Sequence, residues 1–164
     1  MYRARVIGWS RAVPCRGDRG EGSAQCEFLA YQRESVVAIV AGLDDAALRT
    51  AVLPSGWTPL GLIEHLGDAE RHWLQDVFAG ARPGGPDASG FAFYREQCRI
   101  SDGIIAGATL DTAPVGRHHD EPLASQTTDL RRILLHLIEE TARHAGHLDA
   151  ARELLDGRTG LGPR

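Results

Sequence analysis

The sequence predicts an all-α protein, a four-helix bundle in one domain, on three observations. Apolar residues recur every three or four positions through four separate stretches. The strict alternation that a half-buried strand needs is nearly absent. Most of these stretches open on a capping residue or proline or close on a glycine. With 164 residues the chain can bury a real core. Four amphipathic helices bury their stripes most simply against one another.

The elements follow in order. Residues 1–24, rich in Arg, Gly and Ser, show no period and read as a disordered extension ahead of a bundle at 25–160. From Cys26 to Val40 apolar positions fall at Phe28, Tyr31 and Ile39, with Leu29, Val36 and Val40 beside them, until Gly42 ends the helix. Asp44 caps a short turn through Leu48. Thr58 and Pro59 are a capping residue and a first-turn proline, so a second helix is expected from there to about Phe78, with Leu62, His65, Leu66, Ala69, Trp73 and Val77 on one stripe. Six of the eleven residues 80–90 are Gly or Pro and form a loop. A third helix spans about Phe91 to Ala108, and Asp111 to Gln126 is read as a connecting loop. Thr127-Thr128-Asp129 opens the last helix, which runs to about Asp156 and stops at Gly157.

Charge and cysteine content narrow the function. The formal charge is −4, all 18 basic residues are Arg, and neither Lys nor Asn occurs, which points to GC-rich coding. Mild acidity without a long basic run argues against nucleic-acid binding. Three cysteines, Cys15, Cys26 and Cys98, lack C-x-x-C spacing, so neither a disulfide framework nor a Cys-type zinc site is expected. No apolar run approaches the roughly 20 residues of a membrane span, and the N-terminus lacks a signal-peptide core, so a cytoplasmic location is expected. No P-loop, nucleophile elbow, His-Glu-x-x-His or paired Glu-x-x-His motif is present.

The chemistry concentrates on the last helix, where His136, Glu140, His144 and His147 recur at helical spacing. At about 100° per residue, His144 lies about 40° from the centre of the apolar stripe at Leu148. Glu140 and His147 flank it on the same side, and His136 is further out. His65 sits on the apolar stripe of the second helix. Buried imidazoles and carboxylates must be paired, hydrogen-bonded or metal-bound. Two helices offering them to one interior suit a divalent ion with N/O ligands, zinc first, nickel or iron next. His72, beside Arg71, reads as a surface residue; the loop run His118-His119-Asp120-Glu121 superficially resembles a His-Asp metal pair, but its place in a loop flanked by Pro and Arg argues against a site there; Trp57 and Trp73 read as core.

At these residues the chain resembles the DinB-like superfamily, in the DUF664 branch that includes the mini-circle proteins. The resemblance rests on Pro54-Ser55-Gly56-Trp57-Thr58-Pro59-Leu60-Gly61-Leu62-Ile63-Glu64-His65-Leu66 and on Leu135 to Asp149, and covers about residues 26–160. It implies a DinB/YfiT-like bundle of up-down-down-up topology, often a homodimer. It also implies a metal held by one His of the second helix and an i, i+4 pair of the last, here His65, Glu140 and His144. Many relatives have His where Glu140 stands. Mycothiol-dependent maleylpyruvate isomerase is similar to this chain in pairing His, Glu and His. His147 stands where many DinB proteins have Gln, and a fourth ligand, a supporting contact and a proton carrier all remain open for it. Superfamily members include thiol-dependent transferases and isomerases, so the resemblance implies mycothiol as co-substrate and a small electrophile as partner. Arg143 and Arg152 are candidate contacts for the thiol's carboxylates. The other reading is a metal-binding stress or regulatory bundle without turnover.

Overall fold

The structure is a computed structural model that describes residues 20–81 and 89–160. It is helical throughout, with no strand among the described residues. Its helices are α1 (Glu21–Val40), α2 (Asp45–Leu48), α3 (Pro59–Glu70), α4 (Gly90–Ala106), α5 (Glu121–Gln126) and α6 (Leu130–Asp156). No helix is long and apolar enough to cross a membrane.

Local chemistry explains most of these limits. Thr58 Oγ1 accepts the Gly61 N–H at 3.0 Å and Pro59 occupies the first turn, so α3 starts where its sequence says it should. Asp129 caps α6 by accepting the Arg132 N–H at 3.0 Å, and Gly157, at φ 77°, takes the left-handed conformation that closes it. Asp44 caps α2 through the Ala47 N–H. The expected disordered extension lies outside the described residues up to position 19, and residues 21–24 form the first turn of α1. Residues 82–88 of the expected Gly/Pro loop also lie outside them.

Two elements depart from expectation. The second helix does not continue as α-helix to Phe78: from Arg71 to Phe78 it widens into a π-helix. The expected loop before α6 contains α5, started by Asp120, whose carboxylate accepts the Leu123 N–H at 3.1 Å.

Helix α1 lies chiefly along α6 and α3 along α4, with α3 also touching α6. The core has two lobes. One gathers Leu29, Trp73, Leu74, Ile133, Leu134 and Leu137; the other gathers Val36, Leu62, Ile63, Leu66, Tyr94 and Leu148. Burying each such side chain contributes about 1.5–3 kcal/mol. The buried face of α1 runs through Leu29, Arg33, Val36 and Val40, whereas Phe28 is about half exposed. Arg33 can lie there because Glu70 grips it with two hydrogen bonds of 2.6 Å and Asp102 adds one of 2.7 Å. Burial alone would weaken the guanidinium's charge, but Glu70 outweighs it and holds the group firmly protonated. This ion cluster ties α1, α3 and α4 together where α3 becomes π-helical.

Candidate metal centre

His65 lies two turns into α3, on the face of Leu62 and Leu66, and looks across to α6. There Glu140 and His144, one turn apart, share the facing side. The Nε2 atoms of both His65 and His144 lie 3.1 Å from the same Glu140 oxygen, Oε1. The two rings meet edge to face with centroids 4.8 Å apart. One ligand atom from each of the three residues falls within 4.8 Å of the others.

This donor set fits a divalent ion. Ligands at about 2.0–2.1 Å in a tetrahedral arrangement are roughly 3.3 Å apart, close to the two separations of 3.1 Å. The charge pattern fits as well. Burial favours protonation of Glu140, but hydrogen bonds and charge from His65 and His144 outweigh it and hold the carboxyl below its ordinary value. Burial is also the largest influence on His144 and lowers its pKa; Glu140 pulls it up, and His65 and His147 push it down again. The result is an anionic carboxylate whose ion-pair contacts, among the described residues, are imidazoles rather than a permanent cation. His144 Nδ1 is buried without a hydrogen-bond partner, so the ring's other nitrogen carries its contacts.

The neighbours of this group are equally specific. His147 is outside it: its Nε2 shares a hydrogen bond of 3.1 Å with Ser55 Oγ, and its ring stacks at 6.4 Å on that of His144. Trp57, expected in the core, is 42% exposed and lies 5.4 Å from the His65 ring, because the Pro54–Trp57 turn ends at the mouth of the site. Trp73 is buried as expected. His136 packs on Trp73, with ring centroids 4.5 Å apart, away from the three-residue group. Arg143 is exposed beside Glu139. Arg152 is buried, and its guanidinium is committed to the end of α1, donating to the Ile39 and Ala41 carbonyls and to Asp156. His72, read from the sequence as a surface residue, stands together with His118 and His119, for which the sequence disfavours a metal site, elsewhere in the bundle. No sequence period links them.

The chain gives no match to a curated protein and none to a solved structure. A family model does match it, over residues 26–89 and 82–157, which includes α3, α6 and every residue of the His65–Glu140–His144 group. That family is described as mycothiol S-transferase, a DinB-like family. The match spans most of the 164 residues, and on this ground the chain belongs to the mycothiol S-transferase family.

Proposed function

We propose that the protein is a metal-dependent S-transferase that joins mycothiol, or a closely similar thiol, to a small electrophile. The observation that carries this reading is the convergence of two imidazole nitrogens on one carboxylate oxygen, each at 3.1 Å, inside the region matched to the family. His65, Glu140 and His144 hold a divalent ion, zinc by the chemistry of the donor set. Such an ion supplies Lewis acidity that favours the thiolate form of a bound thiol at neutral pH.

The chain's own residues do the rest. Glu140 orients both imidazoles and supplies the single negative charge of the ligand set. A divalent ion held by His65, Glu140 and His144 would have three protein ligands, the number found in catalytic rather than structural sites. The thiol's S–H bond breaks, and its proton passes to His147 at the ring nitrogen that Ser55 does not occupy. The sulfur then forms its bond to the electrophilic carbon as that carbon's leaving group departs with the bonding electron pair. Trp57 packs beside His65 and offers the electrophile an apolar surface at the site mouth. Arg143, exposed one residue before His144 and paired with Glu139 at the surface, donates to an amide or hydroxyl oxygen of the thiol. Arg152 has no part here, since its donors are already taken.

The test combines metal analysis with a conjugation assay. Protein purified without chelator is expected to carry about one equivalent of metal at this site, and to conjugate mycothiol to a haloalkyl electrophile. His65→Ala should lose both. A wild-type protein that neither retains nor rebinds metal, or a His65→Ala variant that conjugates at the wild-type rate, overturns the mechanism.

A further inference from the structure

A second group of possible ligands lies outside this site: His72, His118 and His119 each offer one ligand atom, and the three atoms lie within 4.8 Å of one another. Its assembly depends on the π-helix. His72 is the second residue of that segment, whose last carbonyls, as at any helix end, lack helical partners. The bend before α5 uses them: Val115 N–H donates to Phe78 O at 2.9 Å and Gly116 N–H to Val77 O at 2.8 Å. Gly116 is required for this close approach, because a Cβ there would sit 2.2 Å from the Asp76 carbonyl oxygen. The docked backbone then delivers His118 and His119, two and three residues on, beside His72. The ring centroids of His72 and His118 are 5.0 Å apart, and those of His118 and His119 4.3 Å.

The ring environments are those of ligands. Asp76 places a carboxylate oxygen 3.5 Å from His72 Nδ1, one turn away, and the ring's Nε2 is buried with no hydrogen-bond partner. A carboxylate behind one imidazole nitrogen fixes the ring and leaves the other nitrogen's lone pair for a metal. Burial, helped by His118, keeps the His72 imidazole below its ordinary pKa despite Asp76. His118 is buried and stacked on the Trp73 indole at 5.0 Å with the planes 13° apart. His119 is exposed, which leaves a solvent-facing entry path.

We infer that His72, His118 and His119 form a second divalent-metal site, for a borderline ion such as Zn2+, Ni2+ or Cu2+, that pins the segment before α5 to the π-helix. The site is separate from the His65 centre and does not depend on the function proposed for it. Occupancy has one structural consequence. His118 Nδ1 accepts the Asp120 N–H at 3.0 Å. A metal bound at Nδ1 takes that lone pair; a metal bound at Nε2 moves the ring proton to Nδ1. Either way the Asp120 N–H loses its acceptor, and Asp120 is the N-cap of α5.

The experiment uses the full chain with the first site blanked by His65→Ala and His144→Ala, titrated with Co2+ and Zn2+. The blanked protein is expected to bind one equivalent, with visible Co2+ absorption. Adding His72→Gln or His119→Gln should abolish that binding, and Asp76→Asn should weaken it about tenfold. Because His119 is exposed, its replacement leaves the core untouched and keeps the test clear of misfolding. In the otherwise wild-type chain, metal should shift the Asp120 amide resonance, and should not do so in the His119→Gln variant. No bound equivalent in the blanked protein, or binding that survives both Gln substitutions, overturns the inference. The His65 reading is tested apart from this, by whether the intact chain loses metal on His65→Ala.

Discussion

The two histidine groups are built in opposite ways from the same ingredient. His65, Glu140 and His144 come from the middles of two long helices, fixed by the regular rise of α3 and α6 and by the core on either side. His72, His118 and His119 come from an irregular helix and a loop, and meet only because the backbone at 115–116 hydrogen-bonds onto the end of the π-helix. The first group contains a carboxylate, which would bring a negative charge to a bound ion. The second offers imidazole nitrogens alone and keeps its carboxylate, Asp76, one step behind. Helical placement gives a site that is rigid before anything binds, which suits chemistry. Loop placement gives one whose occupancy and local backbone order depend on each other, which suits a clamp.

The largest effect that separates frame from sites is expected at Arg33. Its guanidinium neutralises Glu70, which is buried at the point where α3 turns π-helical, between His65 and His72. Arg33→Ala leaves that carboxylate without its partner and should cost about 3–5 kcal/mol of stability. Chemical denaturation should show the loss, and metal titrations should show both groups weakened together. If only one group weakens, the two do not share this anchor.

Next in size is His144→Ala, which should reduce thiol conjugation at least about a hundredfold, or roughly 2.7 kcal/mol in the activation barrier. Co2+ binding at His72, His118 and His119 should be unchanged in the same variant. Loss of both bindings together would mean that the groups are not independent.

How far each group could be read from the sequence follows from how it is built. The α6 pair shows in the sequence because i, i+4 spacing is itself the geometry, and His65 shows because Thr58-Pro59 sets the phase of α3. The ends of α6, Asp129 and Gly157, are equally plain, because capping chemistry is local. The π-helix is not visible: an ordinary 3.6-residue period places both Trp73 and Val77 on the buried stripe, as they are, and gives no sign of the wider turn around His72. The placement of His118 is invisible for a deeper reason. It depends on two backbone hydrogen bonds between residues almost forty positions apart, and backbone groups carry no residue code. Gly116 is the single side-chain trace of that contact, and one glycine in a loop has many other readings. The burial of Arg33 escaped for a similar reason, since its partners Glu70 and Asp102 lie on other helices.

Gly116→Ala tests that docking directly. Its new methyl meets two backbone oxygens, the Asp76 and Val77 carbonyls, at 2.2 and 3.0 Å, and neither can rotate away as a side chain could. The segment must lift, at a cost of about 1–3 kcal/mol. Metal binding at the second group should fall with it, while conjugation and metal content at the His65 centre stay at wild-type levels. Equal loss at both would show that the 115–116 contact supports the whole bundle rather than one cluster.

The smallest effect concerns what both groups leave out. Neither contains a cysteine, although Cys98 lies inside the bundle against Tyr94. Burial, reinforced by the Glu70 charge, pushes the Cys98 thiol up to about 12, and Arg33 and Tyr94 only partly offset this. The sign is clear: a raised thiol pKa keeps the proton on at every pH below it, so at pH 8 only about one thiol in ten thousand is ionised. Cys98 should therefore react with iodoacetamide on the order of a thousandfold more slowly than a free cysteine, and adding Zn2+ should not change that rate. Faster labelling with metal-dependent protection would place a thiolate among the ligands and break the all-nitrogen-and-oxygen character assigned to both clusters. Slow, metal-independent labelling leaves the externally supplied thiol as the sulfur that reacts.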